Sequence, residues 1–269
     1  MIKTIERMFE IGEFDDSNSN YHEVLSYLQE TNPRDVDYTK LFTLAPIIFF
    51  GEYHGSEAAK NEVIQNMGKF RDLGITHFAT EMLPLSMQPA IDRYCNIGDN
   101  LGHIKDYHQK EFLRLGEKFP DLYLGMIDAA KSLGMKVTAL DLDDVEETPE
   151  VRNKVWGRLL AKIHHDYPSS KVLTYCGSGH IGYSGYCSKV PNELQNNHGI
   201  KSKSISIIGD NDHPISRIVP RYSNPDILIR AIEDLDMQDK RFVIPIKETT
   251  SRSADVYLHL PYSNYQLIH

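Results

Sequence analysis

The stretch IIFFGEYHGSEAAK, residues 47–60, joins an apolar run to a polar turn and then to the beginning of a helical pattern. The four consecutive apolar residues at its start are typical of a strand covered on both faces of a sheet. Glu52 and His54 follow at once, and Ser56 is placed to cap a helix whose apolar residues recur at three- and four-residue steps. A strand that leads directly into a helix predicts parallel strands joined by crossover helices.

Further short runs, rich in β-branched or aromatic residues, alternate with helical patterns along the chain. They cover residues 76–81, 136–141, 171–177, 204–209, 242–246 and 256–260. We therefore predict an α/β fold with a mainly parallel central sheet covered by helices on both faces. A helical insertion is expected after the second strand, around residues 85–120. Residues 1–44 are predicted to be an N-terminal helical segment packed on the core, and residues 45–269 the α/β domain.

Composition and charge restrict the classes of function. Hydrophobic residues make up 41% of the chain and charged residues 25%, which is the balance of a globular protein. The formal net charge of −9 argues against nucleic acid as a partner, because phosphate contacts need clustered lysine and arginine. No apolar run has transmembrane length, and the N-terminus lacks a signal-peptide pattern. We therefore expect a cytoplasmic protein, or one exported by a route that needs no signal peptide.

Ionisable side chains follow four of the predicted strands, at the point where each strand ends. Glu52 and His54 follow the first strand, Glu81 closes the second, Asp141 closes the third, and His180 follows the fourth in a glycine-rich turn. Because ligands and chemistry gather at the carboxyl ends of parallel strands, we expect these side chains to form one site. Asp141 either orients a histidine there or caps the chain that follows.

These residue types favour acid–base chemistry on water. Burial and mutual repulsion are expected to raise the pKa of a crowded glutamate, so that Glu52 and Glu81 share one proton as acid and base. His54 and His180 would relay protons or stabilise developing negative charge. The glycines around His180 would let backbone amides serve as an oxyanion site. Since the chain has no G-x-S-x-G nucleophile sequence, activated water is favoured over a covalent nucleophile.

A divalent metal is an alternative use of the same four side chains, Glu52, His54, Glu81 and His180. The chain lacks a compact metal-binding unit such as H-E-x-x-H, so we expect no metal in the first instance.

The other histidines and the cysteines are expected to take no part in the site. Four histidines in predicted helices are expected at the surface, namely His103, His108, His164 and His165. The three cysteines have no metal-type spacing and are predicted to be reduced thiols. Cys176 and Cys187 flank the turn around His180, which leaves a redox role as a minor alternative.

Three segments together resemble the ChaN-like branch of the haem-uptake/Tiki superfamily. They are FFGEYHGS (49–56), FATEMLPLSMQPAIDRYCNIG (78–98) and CGSGHIGYSGYCSKVPNEL (176–194). That superfamily also contains erythromycin-esterase-like hydrolases, Tiki proteases and toxin effector domains, including a peptidase that acts on Ras-type GTPases. The resemblance covers residues 45–262, and it rests on the order and joint presence of short motifs.

The resemblance implies roles for the matched residues. In the hydrolase branches, the positions of Glu52, His54, Glu81 and His180 carry acid–base catalysis, with a metal in some branches and none in others. Substrate binding or support is expected from matched or neighbouring residues, namely Tyr53, Gln88, Arg93, Asp141, Gly179 and Tyr183. ChaN-like members are described as haem-binding lipoproteins, and this chain departs from them in lacking a signal peptide and a lipidated cysteine. Haem would need a tyrosine or histidine ligand, for which Tyr53, Tyr183 and Tyr186 are available.

Three functions remain open from the sequence. The first is a hydrolase of an amide or ester bond, with a peptide as first substrate and a small ester or lactone as second. The second is a haem-binding protein that uses the same cleft, and the third is an inactive relative that uses its surface for protein contacts. Convergence of the polar side chains on one point favours the hydrolase, whereas a flat apolar slot with one axial ligand favours haem.

Overall fold

The fold is centred on one mainly parallel sheet. The computed structural model describes residues 21–31, 36–43, 45–143, 147–183, 189–208, 225–246 and 254–261. Within these residues the sheet has seven strands in the order β3-β2-β4-β1-β5-β7-β6, and all neighbours are parallel except β6 and β7. The strands are β1 (Ile47–Glu52), β2 (Ile75–Pro84), β3 (Lys136–Asp141), β4 (Lys171–Gly177), β5 (Ser202–Ile208), β6 (Phe242–Pro245) and β7 (Val256–His259).

Helices cover both faces of this sheet, as predicted. In the described residues they are α1 (Tyr21–Thr31), α2 (Tyr38–Phe42), α3 (Glu57–Asp72), α4 (Gln88–Ile97), α5 (Leu101–Phe112), α6 (Phe119–Ser132), α7 (Pro149–Asp166), α8 (Val190–His198) and α9 (Pro225–Asp234). The predicted insertion after the second strand is confirmed, because α4 and α5 lie between β2 and α6. Short 3₁₀ turns occupy Leu85–Met87, Leu113–Leu115 and Ser178–His180. None of the described helices is both long enough and apolar enough to cross a membrane.

Strand β1 shows why its sequence is continuously apolar. Ile48 and Phe50 belong to the core on the face covered by α3 and α6, whereas Ile47 and Phe49 belong to the core on the face covered by α7 and α8. Every residue of β1 is buried. The strand therefore needs apolar residues on both of its faces, and polar residues become tolerable only where it ends.

The N-terminal helices pack on this core. In α2, Tyr38 and Phe42 form an aromatic group with Phe50 and Phe70, with ring centroids 4.8–6.1 Å apart. Helix α1 contributes buried apolar residues to a smaller core that it shares with α9 and the antiparallel strand pair. Residues 1–20 of the predicted helical segment lie outside the described residues.

The order of the strands places the predicted site. β4 lies between β1 and β2, and Glu52 of β1 is in register with Gly177 of β4. The sequence predicted that the second strand ends at Glu81, but β2 continues to Pro84. Its pairing with β3 shifts register between Thr80 and Pro84. Such an irregularity re-aims side chains at the end of a strand, and it lies directly beside Glu81.

Candidate active site

The carboxyl end of β1 supplies a buried glutamate that contacts a histidine and a lysine. The Glu52 side chain is fully buried, and its Oε1 accepts a hydrogen bond from His54 Nδ1 at 2.9 Å. Its Oε2 accepts from Lys60 Nζ at 2.7 Å. The His54 side chain is 41% exposed, so its ring is the part of this group that meets solvent. We call Glu52, His54 and Lys60 the local triad, because all three lie within nine consecutive residues.

Glu81 gathers a second group of side chains from distant parts of the chain. Its Oε2 accepts a hydrogen bond from the Gly177 amide at 2.6 Å, and its Oε1 accepts from Arg152 Nη2 at 2.7 Å. His180 Nε2 lies 3.5 Å from the same Oε1. We call Glu81, Arg152, Asn153, Gly177 and His180 the assembled group.

Side chains of α7 and β3 hold His180 and Arg152 in position. His180 Nδ1 donates to Asn153 Oδ1 at 2.6 Å, and its ring lies 4.4 Å from the Trp156 ring between centroids. Arg152 Nε donates to Asp141 Oδ1 at 2.8 Å. Asp141 therefore reaches the site through Arg152, and it does not orient either histidine directly.

The local triad and the assembled group meet at one carboxylate oxygen. His54 Nε2 lies 4.0 Å from Glu81 Oε1, the oxygen that also faces Arg152 and His180. The structure thus brings together all four of the predicted catalytic residues, Glu52, His54, Glu81 and His180. Their catalytic roles remain predictions.

Neighbouring charges set the protonation of His54 and Glu81. Burial opposes charge on the His54 ring, but the hydrogen bond and charge of Glu52 and the charge of Glu81 raise the pKa of His54 above its ordinary value. Burial also opposes charge on Glu81, yet the hydrogen bond and charge of His180, the charge of His54 and the Gly177 amide lower its pKa far below the usual range. The expected raised pKa of a proton-sharing glutamate is therefore wrong for Glu81, because basic groups rather than Glu52 surround it.

Four residues of the site were not predicted, namely Lys60, Arg152, Asn153 and Gly177. Lys60 and Asn153 each carry a signal in the sequence, because each lies three residues before a buried apolar residue of its helix, Val63 and Trp156 respectively. A polar residue within an apolar stripe is expected to have buried partners. Arg152 carries a similar signal, because it lies four residues before Trp156.

The predicted supporting residues divide into those at the site and those elsewhere. Tyr53 is exposed and adjacent to His54, and Arg93 lies exposed on α4. Gln88 uses its amide on β3, where Nε2 donates to the Val137 carbonyl and Oε1 accepts from the Ala139 amide. Tyr183 donates to Asp255 at 2.8 Å. These hydrogen bonds of Gln88 and Tyr183 are therefore made with residues other than the four predicted catalytic residues, and Arg93 faces solvent.

The close backbone approach occurs at Gly177 rather than at Gly179. A Cβ atom on Gly177 would lie 3.2 Å from His54 Cε1 and 3.4 Å from Glu81 Oε2, whereas one on Gly179 would meet nothing within 4 Å. The Gly177 amide binds Glu81. This amide is therefore occupied, and an oxyanion site would need the amide of another glycine around His180.

One of the four histidines predicted at the surface is buried. His108 is 0% exposed and lies against Tyr123 and Phe112, with ring centroids 6.2 and 5.6 Å away. Burial lowers its pKa to about 4. His103 and His165 are exposed and His164 is half-buried. The prediction for His108 is wrong because Ile104 and Phe112, four residues away on either side, place it on the buried face of α5.

The cysteines give no support to redox chemistry among the described residues. Cys176 is buried as a free thiol, and burial raises its pKa well above the ordinary value. This opposes formation of the reactive thiolate. Cys187 lies outside the described residues, as does Tyr186.

Neither a metal ion nor haem fits the donor set. Both oxygens of Glu52 and both of Glu81 already accept hydrogen bonds from nitrogen donors, so a cation would have to displace Lys60 or Arg152. Among the described residues, no group of three or more His, Cys, Asp and Glu side chains is arranged to hold a metal. Haem needs a largely apolar slot, whereas charged side chains converge here, and the Tyr183 hydroxyl binds Asp255.

The fold is shared with solved structures of bacterial effector proteins and toxins. The type III effector HopBA1 matches with a TM-score of 0.58 and 13% identity, over 86% of this chain and 96% of that one. A structure described as bacterial protein toxins matches with a TM-score of 0.50 and 20% identity, over 76% of this chain but only 42% of that one. ChaN of Campylobacter jejuni, described for cofacial haem binding, has a TM-score of 0.44 and 14% identity over 84% of this chain and 92% of that one.

These comparisons establish the fold and leave the activity open. No protein-family model and no curated protein matches the chain. The α/β fold that the resemblance implies is therefore the fold observed, and HopBA1 shares it. At such low identity, the likeness does not assign a substrate or a reaction to this chain.

Proposed function

We propose that the protein is a hydrolase of amide or ester bonds, with His54 as its general base. The observation that carries this proposal is the Glu52–His54 pair, in which Glu52 occupies Nδ1 and leaves Nε2 of a partly exposed ring pointing toward Glu81. A carboxylate that fixes one ring nitrogen makes the other the acceptor of a proton, as in other acid–base sites.

The reaction follows from this geometry. His54 Nε2 takes a proton from water while the water oxygen forms a bond to the carbonyl carbon and the carbonyl π electrons move to its oxygen. The imidazolium that results is stabilised by Glu52 and Glu81, the same groups that raise the pKa of His54. Collapse of the tetrahedral intermediate breaks the bond to the leaving amine or alcohol, which takes the proton from His54.

The assembled group supplies the electrostatic part. Arg152 and His180 converge on Glu81 Oε1, and the positive charge of Arg152 would stabilise negative charge that develops on the substrate oxygen. A peptide is the first substrate that we propose, and a small ester or lactone is the second. Neither a metal nor haem has a role in this scheme.

The test is the pH dependence of hydrolysis for the wild type and Glu52→Gln, on a mixed panel of peptides and esters, with and without a chelator. We expect a bell-shaped profile in the wild type, insensitive to chelator, and a fall of roughly 10²–10⁴-fold in Glu52→Gln. Glu117→Gln, an exposed change, serves as the control. An unchanged rate and profile in Glu52→Gln would exclude the proposed base.

A wild type that hydrolyses no member of the panel would favour the two other functions. The next measurement would then be the absorption spectrum after addition of haem, which reports ligation of the iron. Without a new absorption band, a role in protein contact gains support.

A further inference from the structure

Lys60 lies buried beneath the turn that carries His54, and it takes no part in the reaction proposed above. It is in the first turn of α3, and its side chain is 0% exposed. A lysine is almost never fully buried without partners, because its ammonium group loses its hydration. Its position therefore has to be explained by what the ammonium contacts.

Each N–H of the Lys60 ammonium has an acceptor. Nζ donates to Glu52 Oε2 at 2.7 Å and to the carbonyl oxygens of His54 and Ser56, both at 2.9 Å. An ammonium group has three donors, and here they reach one carboxylate and two carbonyls of the turn. Lys60 thus binds the backbone of His54 as well as the carboxylate that holds its ring.

Aromatic rings surround the same ammonium and exclude water from it. Nζ lies 4.7 Å from the centre of the Tyr123 ring, 5.2 Å from that of Phe119 and 5.9 Å from that of Tyr175. The Tyr123 hydroxyl donates to the His54 carbonyl at 3.1 Å, so it supports the same turn. Because solvent does not screen it there, the charge of the Lys60 ammonium interacts strongly with its neighbours.

We propose that Lys60 is the positioning residue of His54. It occupies Oε2 of Glu52 so that Oε1 remains for the His54 ring, and it fixes the turn through two carbonyls. This inference deepens the proposed function, which names His54 as the base. Its test needs no substrate, so its failure can be distinguished from failure to hydrolyse.

The direction in which removal of Lys60 moves the titration midpoint of His54 distinguishes a positioning role from simple repulsion by a nearby positive charge. The groups that face His54 are Glu52, Glu81, Lys60 and, across Glu81, His180. Without Lys60, Oε2 of the buried Glu52 would lose its donor, and the carboxylate would no longer be held with Oε1 against the His54 ring. A carboxylate that is not held against the ring supports the imidazolium less, so His54 would titrate at a lower pH. If Lys60 acted only by repulsion, its removal would make His54 titrate at a higher pH.

The experiment compares Lys60→Met, Glu52→Gln and the double variant, with Lys69→Met as a control for an exposed lysine of the same helix. Thermal unfolding measures stability, and NMR of the ring Cε1–H follows the titration of His54. We expect each single variant to lower the unfolding temperature by roughly 10 °C and to lower the titration midpoint of His54 by about one pH unit. The double variant should unfold at a higher temperature than Lys60→Met, because it leaves no unpaired buried charge.

Three outcomes would overturn the proposal. The first is a higher titration midpoint of His54 in Lys60→Met. The second is additive losses of stability in the double variant. The third applies if Lys60→Met does not fold: a double variant that also fails to fold would show that Lys60 acts through groups other than Glu52.

Discussion

The local triad and the assembled group use the same kinds of side chain in different ways. Each combines a glutamate, a histidine and a basic residue. In the local triad the carboxylate and the lysine are fully buried while the His54 ring is 41% exposed. In the assembled group the His180 side chain is only 11% exposed, and Arg152 is the most exposed of the charged residues at 21%.

This difference separates two tasks that an acid–base site has to perform. A group that exchanges protons with substrate and water must be accessible, whereas donors that stabilise charge act best when they are fixed and shielded from water. We therefore assign proton transfer to His54 and electrostatic support to His180 and Arg152. Most of the following predictions change one side of this comparison and leave the other in place, and the last one changes the contact between the two sides.

The largest effect on activity is expected from replacing each of the two histidines, His54 and His180, with glutamine. We expect His54→Gln to lower kcat/KM roughly 10³-fold and to remove the limb of the pH profile that reports the base. His180→Gln should lower kcat/KM roughly 10²-fold and keep that limb, as expected for loss of one electrostatic donor. The control is His165→Gln, an exposed histidine of α7. Loss of the limb in His180→Gln alone would reverse the assignment.

A large effect on stability is expected from Arg152. Arg152→Leu leaves Glu81 and Asp141 without the cation that both contact, and Glu81 is buried. We expect the free energy of unfolding to fall by roughly 3 kcal/mol, at the low end for a broken buried pair because Arg152 is partly exposed. Denaturant unfolding measures it, with exposed Arg158→Leu on the same helix as the control. Equal losses in both variants would contradict the ion-pair role.

The two groups should respond to pH in opposite directions. The raised pKa of His54 contributes stability that is complete below its ordinary pKa of about 6.5 and is lost as pH rises through the raised pKa. The lowered pKa of Glu81 contributes stability that is present above its ordinary pKa and is lost as pH falls toward the lowered pKa. We expect His54→Gln to flatten the stability curve above pH 6.5, and Glu81→Gln to flatten it at acidic pH.

Unfolding free energies of the wild type and both variants across pH test this prediction. His108 and His259, both with a pKa of about 4, add acid sensitivity to every variant, so differences between variants are the quantity to compare. A change in the same pH range for both variants would show that the two groups titrate as one unit.

The smallest effect is expected where the two groups touch. A methyl group at Gly177 would press on the His54 ring and on Glu81 without entering a packed core, since the nearest atoms lie 3.2–3.4 Å away. We expect Gly177→Ala to lower kcat/KM about tenfold while changing the free energy of unfolding by less than about 1 kcal/mol. Gly179→Ala, which meets nothing within 4 Å, should leave both unchanged. Similar rates for the two variants would show that the ring tolerates displacement.

The local triad and the assembled group also differ in how well the sequence predicts them. Glu52 and His54 could be placed from the sequence because a single strand and its turn position both. Glu81 and His180 could also be placed, since parallel strands bring their carboxyl ends to one edge of the sheet. Their partners on α7 could not, because the helical spacing of Arg152 and Asn153 relative to Trp156 indicates a buried face without showing which strand end that face meets. Only the packing of α7 against the sheet directs Arg152 toward Glu81.

The fold could be predicted further than the details of its ends. The apolar runs indicated every strand of the described sheet to within two residues, except that β2 continues past Glu81 to Pro84. Its irregular pairing there depends on contacts with β3 that no local pattern encodes. The buried position of His108 could have been predicted, since Ile104 and Phe112 flank it at helical spacing.

The amide of Gln88 has a consequence for how copies of this protein meet. Strand β3 lies at one edge of the sheet, and the Gln88 side chain occupies a carbonyl and an amide on its open side, as a neighbouring strand would. At the other edge, β6 is four residues long and ends at Pro245, which has no N–H to offer. Within the described sheet, both edges thus carry features that disfavour an incoming strand, as expected for protection against edge-to-edge aggregation.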